Sequence, residues 1–277
     1  MLFNFHTHCR YCDGKGDPQE FIDEAVKQSF TAFGFSPHAP LPFENKFSIK
    51  EDILPIYIAE IQQLIKLHPQ LPISYGLECD YIPHCSNSFQ YFKEKYAIQY
   101  LIGGVHLVKY QNQLWFIDGP NKDIYDEGLN KFFANDIQLA VKTYFYQLFE
   151  MIENECFDIV AHFDKIKMHN QNRYFREDEK WYQNYIEEAL HLIKSKNLVV
   201  EINTRGIYKK RCDTFYPSPW IIKKMQQMDI PITISMDAHQ SNEISLGFND
   251  AKQCAINFGY KEIVLLINGR QQILPLI

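Results

Sequence analysis

No stretch of the chain approaches the roughly 20 consecutive apolar residues of a membrane-spanning helix. The N-terminus also lacks a basic region followed by an apolar core. The expected setting is therefore the cytoplasm, with no membrane partner. An excess of positive charge is absent too. The sequence has 28 Lys and Arg against 34 Asp and Glu, a net charge of −6. That disfavours a nucleic-acid partner, which calls for a basic stripe. The seven cysteines are odd in number and scattered, which is no disulfide framework and fits a reducing compartment. Cys9 and Cys12 form a single CxxC without a second pair, so these thiols are expected to pack in the first loop. No repeat, low-complexity tract or Pro/Gly/Ser linker divides the 277 residues, and 46% of them are hydrophobic. Residues 1–277 are read as one domain, of a size that suits an α/β barrel. A homo-oligomer stays open.

What the chain does contain is a strand-like run followed by a helix-like run, many times over. Apolar, β-rich runs lie at 2–5, 32–35, 73–77, 100–105, 157–161, 198–202 and 232–235, with an eighth at 262–266. Helical patterns lie at 18–28, 52–67, 86–96, 136–155, 177–195, 218–228 and 243–258. Asp17-Pro18 and Ser218-Pro219 read as N-caps with proline in the first turn. Near-continuous apolar strands between helices predict a parallel sheet covered by helices. The exception is 107–126, where "LVKYQNQLWFID" predicts a β-hairpin turning near Asn112, inserted after the fourth strand over the mouth of a barrel.

The chemistry sits just past the strands. His6 and His8 follow the first, on one face at a spacing of two. His38 follows the second, Glu78 and Asp80 end the third, and His106 and His162 follow the fourth and fifth. Asn203 and Arg205 end the sixth, and Asp237 and His239 the seventh. In a parallel barrel these ends converge on one mouth. Five strands thus deliver imidazoles to one place, and so many imidazoles and carboxylates together need a cation. Mixed imidazole and carboxylate ligands suit zinc, manganese, iron or cobalt. Too many candidates are present for one ion, so two or three divalent ions are expected. His68, His84, His169 and His191 fall in helix or loop and are read as structural or surface residues.

These motifs, in this order, resemble the polymerase and histidinol phosphatase (PHP) family of metal-dependent phosphoesterases, and more closely its monofunctional histidinol-phosphatase branch. The resemblance runs over essentially the whole chain. It is carried by "HTH" at 6–8, "SPHAPLP" at 36–42, "GLECDY" at 76–81, "GGVH" at 103–106, "AHFD" at 161–164, "EINTRG" at 201–206, "YPSP" at 216–219 and "MDAH" at 236–239. It implies a distorted (β/α)7 TIM-like barrel with a trinuclear metal site and hydrolysis of a small phosphomonoester, L-histidinol phosphate first. Another phosphoester of the family is the alternative, and a non-enzymatic metal-dependent binding subunit a more distant one. By resemblance, His6, His8, Glu78 and Asp237 hold one metal. Glu78 bridges to a second with His106 and His162, and His38 and His239 help hold a third. Asp13 stands where many relatives carry a histidine, and it is the remaining candidate ligand. Asp237 and His239 are candidates to relay a proton.

For the phosphate, Arg205 is the first candidate, since a guanidinium suits a bidentate grip. Arg173, Arg176, Lys209 and Arg211 come after it, with backbone donors at the helix start at Ser218. Trp115 and Phe116 in the hairpin are candidates to cover an imidazole or other ring.

Overall fold

The computed structural model describes residues 1–276. Its strands, in chain order, are β1 (Phe3–Asn4), β2 (Ala32–Phe35), β3 (Ile73–Asp80), β4 (Tyr100–Gly104), β5 (Leu107–Tyr110), β6 (Gln113–Phe116), β7 (Ile159–Val160), β8 (Val199–Asn203), β9 (Ile232–Ser235), β10 (Glu262–Ile267) and β11 (Arg270–Pro275). The α-helices are α1 (Pro18–Lys27), α2 (Leu54–Leu67), α3 (Phe89–Tyr96), α4 (Lys122–Phe133), α5 (Ile137–Asn154), α6 (Lys180–Ser195), α7 (Arg205–Tyr208), α8 (Pro219–Gln227) and α9 (Phe248–Asn257).

Seven strands make one sheet in the order β1-β2-β3-β4-β7-β8-β9. Every pairing within it is parallel. A parallel bridge between Thr7 and Ala238 joins the two ends. His8 N donates to Ala238 O at 2.8 Å, and Ala238 N donates to His6 O at 3.2 Å. The sheet is thereby a nearly closed, distorted (β/α)7 barrel, as the alternation of strand and helix predicts. The barrel strands are buried along their length because helices cover them outside and side chains fill them inside. The interior is unusually aromatic. Inside the barrel, the Tyr100 hydroxyl lies 2.7 and 2.9 Å from the carbonyls of Phe5 and Phe35; on the outer face, Phe33 and Phe35 meet edge to face at 5.2 Å and Phe35 packs on Phe21 of α1 at 6.0 Å.

Two elements depart from the sequence reading. The apolar run at 262–266 is not a barrel strand. It forms β10 and pairs antiparallel with β11. This hairpin packs across the N-terminal ends of the barrel strands, where Ser74 Oγ donates to Leu266 O at 2.9 Å. It is apolar for the reason a barrel strand is, since Ile263 to Leu266 are buried, so composition alone does not separate the two cases. The second departure is α4, which begins inside the stretch assigned to the hairpin insertion. Asn121 is its N-cap, with Oδ1 accepting from Asp123 N and Ile124 N at 3.1 and 3.2 Å. The hairpin itself forms where expected, with β5 and β6 paired antiparallel around Gln111 and Asn112. Trp115 of β6 is buried against Tyr125 and Phe133, with ring centroids 4.8 and 5.4 Å away. It is therefore a packing residue and not a cover for a ligand.

Gly128 of α4 lets this packing form, because a Cβ there would overlap Cδ1 and Nε1 of Trp115. Gly128→Ala gains helix propensity but overpacks a buried indole. The expected net is destabilisation of about 1–3 kcal/mol, measured as a lowered midpoint in urea unfolding.

Candidate active site

The barrel mouth brings six imidazoles and three carboxylates together. Glu78, near the C-terminal end of the longest barrel strand, is buried at the centre. Its Oε2 lies 3.2 Å from His6 Nε2, 3.3 Å from His8 Nε2 and 3.1 Å from His38 Nδ1. Its Oε1 lies 3.0 Å from His162 Nε2 and 3.4 Å from His106 Nε2. Backbone pairing sets this register. A parallel bridge links His38 to Glu78, just as the closing bridge sets His6 and His8 beside Asp237 and His239.

Asp237 Oδ1 is 3.9, 3.5 and 3.5 Å from ring nitrogens of His6, His8 and His239. Asp13 sits at the rim, with Oδ1 3.3 Å from His239 Nε2, 3.8 Å from His8 Nδ1 and 3.9 Å from His38 Nε2. Asp237 itself has φ +49°, a conformation that costs a non-glycine residue of order 1–3 kcal/mol. Arg205 and Tyr208 brace it, with Arg205 Nη1 donating to Asp237 O at 2.6 Å and the Tyr208 hydroxyl 3.3 Å from the same oxygen.

The donor atoms fit divalent ions. His6 Nε2, His8 Nε2, His38 Nδ1 and Glu78 Oε2 are buried and have no hydrogen-bond partner. Left so, each carries a full desolvation cost. Ligands bound at 2.0–2.2 Å to a tetrahedral ion sit about 3.4 Å apart, close to the spacings around Glu78 Oε2. Four overlapping groups have ligand atoms all within 4.8 Å of one another: His8, Asp13, His38 and His239; His6, His162 and Asp237; His6, His8 and Glu78; and His38, Glu78 and His106. All nine residues expected as ligands fall in these groups. His162 is grouped here with His6 and Asp237, while its Nε2 still lies 3.2 Å from His106 Nε2.

Burial pushes the Glu78 carboxyl up, but His6, His38 and His106 outweigh it and hold the group well below the carboxylate range. His8 is driven well down by burial, then by His239 and His38. His106 is opposed by burial yet raised by Glu78 to about 9. The cluster thus holds Glu78 ionised, as a ligand must be, while His6 and His106, both raised, release protons when an ion binds.

Two contributors, Glu201 and Lys165, were not singled out from sequence. Glu201 is fully buried on β8. Its Oε2 is 2.8 Å from His6 Nδ1 and accepts from Ser235 Oγ at 2.6 Å. Its Oε1 accepts from His162 N and Asn203 Nδ2 at 3.0 and 2.8 Å. It fixes the His6 tautomer so that Nε2 faces Glu78. A glutamate inside the apolar run "VVEIN" was the available signal. Asp80 accepts from His106 N at 2.9 Å. Lys165, buried three residues after His162, pairs with Asp118 at 2.9 Å. Cys9 is buried in the first loop, and Cys12 Sγ lies 3.4 Å from His8 Nδ1. His169 is buried, with Nε2 2.9 Å from Gly119 O.

The cationic candidates divide. Arg205 lies against the cluster, with its side chain 11% exposed and Nε 3.9 Å from Asp237 Oδ1. Glu243 links it outward, 3.7 Å from Arg205 Nη1 and paired with Lys209. Arg211 reaches Asp118 at 3.6 Å. Arg176 is not brought to the cluster, because its guanidinium forks onto Asp178 in solvent at 2.9 and 2.6 Å. Arg173 forks onto Asp126 at 2.7 and 2.8 Å. Ser218 is committed elsewhere, its N–H to Asp164 Oδ2 at 3.0 Å and its hydroxyl to Lys167.

A PHP domain profile matches residues 4–205. The chain belongs to the PHP family. Among curated PHP-type relatives, it is 25% identical over 269 residues to the histidinol-phosphatase of Bacillus subtilis, covering 88% of this chain and 95% of that one. In three dimensions it is similar to the HisK protein of Listeria monocytogenes, with TM-score 0.80, 20% identity, and 90% and 99% of the two chains covered. It is also similar to the histidinol phosphate phosphatase of Lactococcus lactis, solved with zinc, L-histidinol and phosphate, with TM-score 0.75, 20% identity and 98% of each chain covered. These two structures share the barrel fold described above. Among the described residues, no helix is long and apolar enough to cross a membrane.

Elemental analysis of protein purified without chelator is expected to find at least two equivalents of transition metal per chain; less than one equivalent in fully active protein would refute a multinuclear site. Glu201→Gln keeps the shape but removes the charge behind His6. Metal affinity is expected to fall about 10- to 100-fold, measured by competition with a chromophoric chelator.

Proposed function

We propose that this chain is a metal-dependent phosphomonoesterase that hydrolyses L-histidinol phosphate to L-histidinol and phosphate. The observation that carries the reading is the set of unpartnered imidazole nitrogens around Glu78 in a barrel mouth, with Arg205 at its edge. The substrate is favoured by the names of the curated relatives that match nearly end to end. His6, His8, Glu78, Asp237, His106, His162, His38, His239 and Asp13 would hold two or three divalent ions, of zinc, manganese, iron or cobalt. When bound, such ions supply charge neutralisation at phosphoryl oxygens and acidify water enough for attack near neutral pH.

The chain's own groups do the rest. Arg205 grips the non-reacting phosphate oxygens, and its bond to Asp237 O fixes its direction. Water adds to phosphorus, the bond from phosphorus to the histidinol oxygen breaks, and that oxygen takes up a proton. His239 suits this transfer when its Nε2 is not engaged as a ligand, since the two uses of that nitrogen exclude each other. It is the most exposed of the six imidazoles, at 13%, and Asp237 O holds its Nδ1 at 3.1 Å. The working unit is taken as residues 1–277, since Asp237 and His239 lie beyond the matched segment. A net charge of −6 favours a small substrate over a nucleic acid, and a biosynthetic role fits a cytoplasmic setting.

Arg205→Ala, assayed at saturating metal, is expected to lower kcat/KM for L-histidinol phosphate about tenfold to over a hundredfold. This corresponds to losing roughly 1.5–3 kcal/mol from a charge-assisted hydrogen bond. Arg205→Lys is expected to recover only part, because an ammonium cannot form the planar fork. Unchanged kcat/KM in Arg205→Ala would remove Arg205 from this role.

A further inference from the structure

Two aromatic side chains stand at the mouth without belonging to the core. Phe47, in the loop between β2 and α2, and Phe116, at the end of β6, are both partly exposed. Neither is part of the hydrophobic core or packed against it. Their rings are nearly parallel, at 12° with centroids 6.1 Å apart. Phe47 also meets the His38 ring edge-on at 5.4 Å, and His38 meets His106 at 5.1 Å. The phenyl pair therefore begins where the ligand set ends.

Backbone hydrogen bonds tie both rings to the site. Ile49 N donates to His38 O, and Ile117 N donates to His106 O, each at 3.0 Å. Asn45 Oδ1 caps the loop before Phe47, accepting from Phe47 N and Ser48 N at 3.1 and 2.8 Å. Along β6 the neighbours on either side of Phe116 divide from it in the way a strand requires. Trp115 and Ile117 are buried, which turns Phe116 to the opposite face. Two half-exposed rings, held by fixed backbone beside the reacting centre, cost solvation in the free protein and gain it back only when something flat and apolar covers them.

Resting on the phosphatase reading above, we propose that Phe47 and Phe116 are the specificity-determining residues for the leaving group, binding its imidazole ring. L-Histidinol phosphate places a planar ring a short aliphatic chain away from its phosphate. A phosphate over the His38 and His106 side of the cluster sets that ring beside the phenyl pair. The contact is made with the leaving group before any bond changes, so it acts on binding and enters KM more than kcat.

The test uses the metal-loaded full chain and three substrates: L-histidinol phosphate, phenyl phosphate, which keeps a ring but no ammonium, and phosphoethanolamine, which keeps an ammonium but no ring. Phe47→Ala and Phe116→Ala are each expected to raise KM about tenfold for the two ring-bearing substrates, with kcat and the phosphoethanolamine kinetics near wild type. Phe47→Tyr and Phe116→Tyr keep the planar ring and are expected to restore KM, which guards against an alanine variant that merely folds poorly. Equal losses on all three substrates, or an unchanged KM for the ring-bearing pair, overturn the proposal. A wild type that hydrolyses phenyl phosphate but not L-histidinol phosphate overturns the substrate reading. The ring proposal then stands or falls on whether the variants lose phenyl phosphate selectively. A wild type inactive on all three overturns both.

Discussion

One buried carboxylate organises this protein. Glu78 has ring nitrogens of His6, His8, His38, His106 and His162 within 3.4 Å of its two oxygens. Taking such a charge out of water costs several kcal/mol per ion, repaid only by well-placed partners. The barrel supplies those partners from four other strand ends. Inside the barrel, Tyr100 crosses below the cluster, with its hydroxyl bonded to the carbonyls of Phe5 and Phe35. A carboxylate faced by His6 Nε2, His8 Nε2 and His38 Nδ1, none of which has a hydrogen-bond partner, is poised for positive charge, so the site's need for cations is built into the fold itself.

Around this centre lies a layer whose work is orientation. Glu201 holds His6 and the backbone of His162, Asp80 holds the backbone of His106, and Arg205 steadies the strained backbone at Asp237. A ligand displaced by even an ångström binds metal poorly, and these contacts remove that freedom. Arg205 has a double position, touching both the ligand Asp237 and the open side of the mouth. In the proposed mechanism, one side chain would connect the placement of Asp237 with the placement of a phosphate.

Much of this was legible in the sequence because parallel strands advertise themselves. A short apolar run that ends in a histidine or a carboxylate, repeated with helices between, has few architectural readings. Every residue expected to ligate falls in the cluster. The outer layer was harder to read. Glu201 looks like a flaw in an apolar strand until the opposite wall is known, and Lys165 looks like a solvated charge until Asp118 closes over it. Phe47 lies in a loop with no periodicity, so nothing marks it until it meets Phe116. Arg176 and Ser218 fail to reach the cluster for an equally local reason: Asp178, Asp164 and Lys167 claim them first. The hairpin of β10 and β11 imitated an eighth strand because a plug and a barrel strand bury the same residue types.

The bridge between Thr7 and Ala238 has a consequence for how the site comes into being. The first candidate ligands of the chain and the last are separated by more than two hundred residues, yet the backbone sets them side by side through that seam. During synthesis His6 and His8 emerge early and can meet His38 and Glu78, but Asp237 and His239 join them only when the seventh barrel strand arrives. Closing so long a loop is slow, and until it happens the cage for a cation has one wall missing. Tight metal capture thus belongs to the finished molecule, and an ion held there clasps the two ends of the sheet together like a rivet through a rolled plate.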